Sequence, residues 1–281
     1  MSSSTLPDGT DIGRVTLTVS ALDTVLPFYR NVVGLTVRER AADRAALGTE
    51  DETLLVLEAD PDAGPRPDDA AGLFHTAFLY PSRGALGDAL DRVASSDRRL
   101  TGASDHRVSE ALYLRDPDGN GVELYRDRPR EGWPERDGRV EMDTLRPDVD
   151  ALRADAAGEA DAGAPEDTVV GHVHLETTDI DAAEAVYVDA LGFDVRQRMG
   201  TDALFVAAGG YHHHVGLNGW NSRSEPASGR GLVEFEVVLP NAAALDSVRD
   251  RSADAAVDTR DEGGDLVVAD PDGIDVRLRT E

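Results

Sequence analysis

Val15, Leu17 and Val19 alternate with polar residues in RVTLTVS, the period of a strand with one buried face. From about Ala21 to Val33 the apolar spacing turns helical. It stops at Gly34, a residue suited to the left-handed turn behind a helix. Three short strand-like runs follow. The same order returns three more times: FHTAFLY before RGALGDALDRV, VGHVHLETT before DAAEAVYVDALG, and VEFEVVL before NAAALDSVRDRS. The pattern predicts four βαβββ units and an α+β fold.

The units form a tandem repeat. Gly13 of IGRVTLT recurs as Gly171 of VGHVHLE, GLFHTAFLYP as GLVEFEVVLP, and DPDG at 116–119 as DPDG at 270–273. The first copy is assigned to residues 1–128 and the second to 168–281. Residues 129–167, rich in Asp, Ala, Gly and Pro, read as an acidic linker with one helical stretch, VDALRADAA.

A length of 281 residues suits two domains. The net charge of −27 repels nucleic acid and anionic membranes. All 28 basic residues are arginine, and the acidity reads as adaptation to a high-salt cytosol rather than as a substrate signal. No run is apolar and long enough to span a membrane, and MSSSTLPDGT has no secretory character. A cytoplasmic protein, free to self-associate, is expected. The chain has no cysteine, so a metal site must use His, Asp or Glu.

Strand phase sorts the candidates. Val173 and Leu175 claim the core face of VGHVHLE, so His172 and His174 share the other. By the same rule His75 opposes Phe74 and Phe78, Glu123 opposes Val122 and Leu124, and Tyr113 opposes Leu112 and Leu114. In YHHHVGLN the phase sends His213 to the core with Val215, and His212, His214 and Asn218 to the opposite face. Imidazoles and a carboxylate gathered on open sheet faces are ligands for a first-row metal. A solvated face with scattered histidines is the plainer alternative for each residue taken singly.

The motifs GLFHTAFLYPSR, SDHRVSEALYLRDPDGNGVELY, VGHVHLET and GGYHHHVGLNGWNS resemble the vicinal oxygen chelate (glyoxalase/bleomycin resistance/dioxygenase) superfamily, closest to the two-domain extradiol catechol 2,3-dioxygenases. The resemblance covers nearly the whole chain. It implies two glyoxalase-like half-open barrels. It also implies an Fe(II) centre, with Mn, Zn or Ni as alternatives, held by His75, Glu123 and His172. His106 and Tyr113 would lie beside the substrate, and His214 would be the acid/base. The implied reactants are a small aromatic diol and dioxygen. Ser104 departs from the family pattern, which has Gly, Asn, Thr, Ile or Val there. A metal-dependent lyase or isomerase of glyoxalase type, or a non-catalytic binding protein, would use the same cup.

The ligand positions fall unevenly. They hold Arg14, His75 and Glu123 in the first copy, and His172, Glu234 and Arg277 in the second. Neither copy has two histidines and a carboxylate. Pairing the second unit with the third completes the set, and pairing the first with the fourth gathers Arg14, Glu234 and Arg277 into an ion cluster. Crossed pairing is therefore expected over sequential pairing.

Overall fold

The structure is a computed structural model describing residues 5–136 and 139–280; the first four residues of the stretch read as non-secretory lie outside them. The first quarter runs β1 (Asp11–Val19), α1 (Leu22–Phe28), β2 (Thr36–Arg40), β3 (Arg44–Gly48) and β4 (Thr53–Ala59). The second runs β5 (Gly72–Leu79), α2 (Arg83–Ser95), β6 (Gly102–Asp105), β7 (Ser109–Arg115) and β8 (Gly121–Asp127). Between the copies lie β9 (Glu135–Arg136), β10 (Arg139–Val140) and α3 (Val149–Ala154). The third quarter holds β11 (Val169–Glu176), α4 (Ile180–Glu184), β12 (Asp194–Met199), β13 (Ala203–Ala207) and β14 (Val215–Asn218). The fourth holds β15 (Gly231–Leu239), α5 (Ala242–Asp254), β16 (Thr259–Glu262), β17 (Asp265–Ala269) and β18 (Asp275–Thr280).

Apart from β9 and β10, which pair with each other, the strands form two eight-stranded mixed sheets. One has the order β16-β17-β18-β15-β1-β4-β3-β2, and the other β12-β13-β14-β11-β5-β8-β7-β6. Each sheet therefore joins the first quarter to the fourth, or the second to the third, which is the crossed arrangement. The repeat is kept to the residue: Ala77 faces Glu123 in the parallel pair β5–β8, and Glu236 faces Arg277 in β15–β18.

The two helices at the starts of the copies end alike. α1 runs into a π-helical turn, Tyr29–Val33, closed by Gly34 at φ +91°. α4 runs into a π-helical turn, Ala185–Ala190, with Gly192 at φ +92° just beyond it.

By packing, the chain divides into a unit of Met1–Val15, Arg66–Phe74 and His172–Glu281 and a unit of Thr16–Pro65 and His75–Gly171. The two DPDG turns organise these units. In the second, Asp116 accepts from the backbone N–H of Asp118 and Asn120, each at 2.9 Å, and from the Tyr29 hydroxyl at 3.1 Å. Asp118 then grips the backbone N–H and the hydroxyl of Ser20, behind β1. In the first, Asp270 accepts from Asp272 and Ile274, each at 2.9 Å, and from Tyr187 at 3.1 Å. Asp272 takes the hydroxyls of Thr177 and Thr178, each at 2.6 Å, behind β11. Each turn thus clips its own quarter of the chain to the strand–helix corner of the preceding quarter, within one packing unit.

Parts of the acidic stretch 129–167 pack against α2, while most of its described residues stay at the surface. Asp148 caps α3 by accepting from Ala151 N–H at 3.0 Å, and Leu152 is buried. Gly87 of α2 lets it in: a Cβ there would lie 2.8 Å from the Cα of Ala156. Asp88 accepts from Gly158 N–H at 2.8 Å, and Arg92 donates to the Gly163 carbonyl at 3.0 Å. Low hydrophobicity hid this strap, since it is held by polar side chains of α2 rather than by an apolar face. Among the described residues no helix is long and apolar enough to cross a membrane.

Candidate active site

β5 and β8 run in parallel and bring His75 beside Glu123, with Nε2 2.9 Å from Oε2 and both side chains almost wholly buried. His172, from β11, completes the group: one ligand atom from each of His75, Glu123 and His172 lies within 4.8 Å of the others, and all three are buried. Two imidazoles and a carboxylate converging in this way have the donor chemistry of a divalent first-row cation. Burying a carboxylate is costly without a partner charge, which such a cation supplies. The donors present therefore fit a metal centre.

Tyr113 lies across the antiparallel β7–β8 pair from Glu123. Its ring stands 5.6 Å from the His75 ring. Burial, then the charge and hydrogen bond of Glu123, hold the phenol protonated well above its ordinary range. His106 approaches its hydroxyl, with Nε2 2.7 Å away, while Nδ1 lies 2.7 Å from the carbonyl oxygen of Asp143. A carbonyl only accepts, so Nδ1 carries the hydrogen. In the neutral ring Nε2 is then an acceptor, and it shares the single Tyr113 O–H with Glu123. The carbonyl comes from the acidic strap, where Leu145 exchanges backbone hydrogen bonds with Asp105. The resemblance implies His106 and Tyr113 beside the substrate, but the sequence carries no signal for a backbone group supplied by a stretch read as linker.

The histidine triplet departs from its expected phase. β14 begins only at Val215, and the alternation does not carry back through the turn that contains Tyr211 to His214. His213, expected in the core, stacks on His172 with ring centroids 4.1 Å apart and meets Phe205 at 5.2 Å. His212 lies 6.0 Å from His172 and shares an Nδ1–Nδ1 hydrogen bond of 2.7 Å with His213. His214, expected in the cup, instead accepts from Ala208 N–H at 3.1 Å and packs near Tyr211 and Phe193.

Phe74 corrects a second phase assignment. It is partly exposed and packs on His174 at 5.0 Å rather than entering the core. The alternation fails there because β5 opens at Gly72 with φ +138°, a conformation other residues rarely adopt. Glu176 was missed although it continues the spacing of His172 and His174. It is buried and held by Arg66 at 2.7 Å and Arg223 at 2.9 Å.

Among the described residues, the sheet of the first and fourth quarters has no such donor set. Arg14, at the position of His172, pairs with Glu236 at 2.7 Å, and Arg279 pairs with the same carboxylate at 2.9 Å. Arg277, at the position of Glu123, pairs with Glu234 and Glu262, each at 2.8 Å. The expected cluster of Arg14, Glu234 and Arg277 is thus corrected to two separate groups. Glu236, where the other sheet has Ala77, takes Arg14 away from Glu234. Arg277 is held further into its charged form by its hydrogen bond to Glu234.

A profile of the Glyoxalase/Bleomycin resistance protein/Dioxygenase superfamily matches residues 11–124, and the chain belongs to this superfamily. Within it the chain is an oxidoreductase of the dioxygenase branch. It is 42% identical over 271 residues to catechol-2,3-dioxygenase of Bacillus subtilis (strain 168), covering 94% of this chain and 95% of that one. It is 31% identical over 163 residues to biphenyl-2,3-diol 1,2-dioxygenase 3 of Rhodococcus globerulus, covering 55% of this chain and 84% of that one. The fold is shared with a putative dioxygenase from Bacillus subtilis subsp. subtilis str. 168, at a TM-score of 0.66 and 13% identity over 99% of this chain and 86% of that chain.

Proposed function

We propose that this chain is an extradiol dioxygenase that opens the ring of a catechol, with Fe(II) held by His75, Glu123 and His172. The observation that carries the reading is the contiguous set on one sheet: His75 against Glu123, Tyr113 across from Glu123, and His106 on the Tyr113 hydroxyl. The identity to a relative named catechol-2,3-dioxygenase over nearly its full length supports it. A facial set of two histidines and one carboxylate leaves positions open on the metal, and bound Fe(II) supplies a template where diol and dioxygen meet.

The side chains do the rest. Tyr113 is kept protonated by burial and by Glu123, so it offers an O–H where an ionised diol oxygen would sit. His106, with its hydrogen fixed on Nδ1 by the Asp143 carbonyl, turns Nε2 to the Tyr113 hydroxyl and positions it. His213, stacked on His172, is the imidazole we assign as acid/base on the other side of the group, in place of His214. Burial of the three donors excludes bulk water, which strengthens each of these contacts.

The test is anaerobic loading with Fe(II), followed by catechol and air. Metal content, dioxygen uptake and the absorbance of a ring-opened yellow semialdehyde are read together. Stoichiometric uptake with product is expected. Retention of Fe(II) without uptake on any diol would sink the reading in favour of a lyase or isomerase on the same cup.

A further inference from the structure

His172, His174 and Glu176 alternate along one face of β11, so His174 stands about 7 Å and Glu176 about 13 Å along the strand from the proposed metal ligand. The middle position is an aromatic cluster. His174 meets Phe74 at 5.0 Å, Trp220 at 5.4 Å and Phe205 at 5.5 Å, and Phe74 meets Trp220 at 5.5 Å. All four contacts are edge-to-face, the arrangement that aromatic quadrupoles favour. The space is made by Gly216, where a Cβ would lie 2.8 Å from the His174 ring. Asn218 fixes that ring by donating to Nε2 at 3.1 Å.

Trp220 tops this cluster and is 46% exposed. An exposed tryptophan on a loop is normally mobile, but this loop is anchored. Beyond Trp220, Arg223 clasps the buried Glu176, Asn221 reaches the same carboxylate, and Ser224 and Glu225 donate to the Asp69 carbonyl at 2.9 and 3.1 Å. Before it, Asn218 accepts from the Trp220 N–H at 3.2 Å. The result is a fixed aromatic surface, open to solvent, one strand step beyond His172. The guanidinium groups around it are turned inward: Arg66 donates to Glu176 and to the Leu73 carbonyl, and Arg223 to Glu176 and the Asp68 carbonyl.

We propose that Trp220, backed by Phe74 and His174, is the platform that reads the ring substituent of the diol, and that it selects neutral diols with a flat apolar substituent over diols carrying a carboxylate. This rests on the diol-cleaving reading above. A flat substituent gains stacking area on a surface that is already immobilised, so little entropy is lost on binding. An anionic substituent meets arginines already committed to Glu176.

The test uses the Fe(II)-loaded enzyme with catechol and three catechols substituted at ring position 3: biphenyl-2,3-diol, 3-methylcatechol and a catechol bearing a carboxymethyl group at that position. In Trp220→Ala, the ratio of kcat/KM for biphenyl-2,3-diol over catechol should fall about tenfold, through KM, which is about 1.4 kcal/mol of lost contact. Trp220→Phe should restore most of it. The wild-type enzyme should favour the methyl over the carboxymethyl diol. An unchanged ratio in Trp220→Ala, a ratio that rises, or a preference for the carboxymethyl diol overturns the platform while the dioxygenase reading stands. Absence of turnover on all four diols overturns both.

Discussion

Tyr113 on β7 and Glu123 on β8 are direct cross-strand partners, so a proposed metal ligand and a proposed substrate contact are fixed by one sheet register. Their roles can still be separated. Glu123→Ala removes the only carboxylate of the donor set and should abolish metal retention, read as iron per chain after gel filtration. Tyr113→Phe keeps the ring and all three donors. It should retain iron while turnover falls by about ten- to a hundredfold, in the range for losing a positioned proton donor. Iron loss in Tyr113→Phe would mean that the hydroxyl supports the ligand set rather than the substrate.

His213 and His214 should give opposite results. His213→Gln removes the imidazole stacked on His172, and turnover should fall by about a hundredfold or more with iron and diol binding kept. His214→Gln removes the acceptor for Ala208 N–H, so it should lower stability by about 1–2 kcal/mol while leaving kcat within a fewfold of wild type. Rates and denaturant midpoints measured on both variants decide between them. A dead, well-folded His214→Gln beside an active His213→Gln would return the acid/base role to His214.

The crossed sheets were legible because the defect in each copy was legible: Arg14 stands where a second histidine is needed, and Arg277 stands where a carboxylate is needed. Residues within regular strands, such as His75, Tyr113, Glu123 and His172, could be placed by alternation alone. The reading failed at strand ends. His213 and His214 precede Val215, and Phe74 follows Gly72, so in each case the backbone turns before the period is established. It failed again where partners are polar and distant in sequence. Glu236 and Glu234 differ by one full period, and nothing in one strand says which of them Arg14 will reach.

Glu236 should be structural and unconnected to metal. It is buried to all but 3% of its side chain between Arg14 and Arg279, which are 40% and 30% exposed. Glu236→Ala leaves two cations without this partner, but both can reach water. The cost should be about 2–3 kcal/mol, below the range for a fully buried pair. Urea denaturation should register the loss while iron content and kcat stay at wild-type values. Loss of iron in this variant would tie the arginine sheet to the metal.

The DPDG turn of the fourth quarter should make stability fall as pH rises. Asp270 is pushed up to about 6, mainly by burial, against hydrogen bonds from Ile274, Tyr187 and Asp272 that favour its charged form. Its folded pKa therefore lies above the unfolded value near 3.9. Between about pH 4 and pH 6 the folded chain binds the proton more readily, and stability contributed by protonated Asp270 is lost as pH rises through 6. The size is on the order of 3 kcal/mol. Glu110 acts in the opposite sense. Burial raises its pKa, but hydrogen bonds and charge from Arg83 and Arg126 outweigh that and hold it below its ordinary value. Its stabilisation is therefore lost only as pH falls below the ordinary glutamate range. Between about pH 5 and pH 7 the seven histidines can also change charge, so the aspartate is isolated only by the difference between wild type and a non-ionising variant. Asp270→Asn keeps an acceptor for Asp272 and Ile274 but cannot ionise, so its stability should fall less steeply than wild type across that window. Denaturant titrations of both proteins at pH 5, 6 and 7 test this, and parallel slopes for wild type and Asp270→Asn would place the titrating group elsewhere.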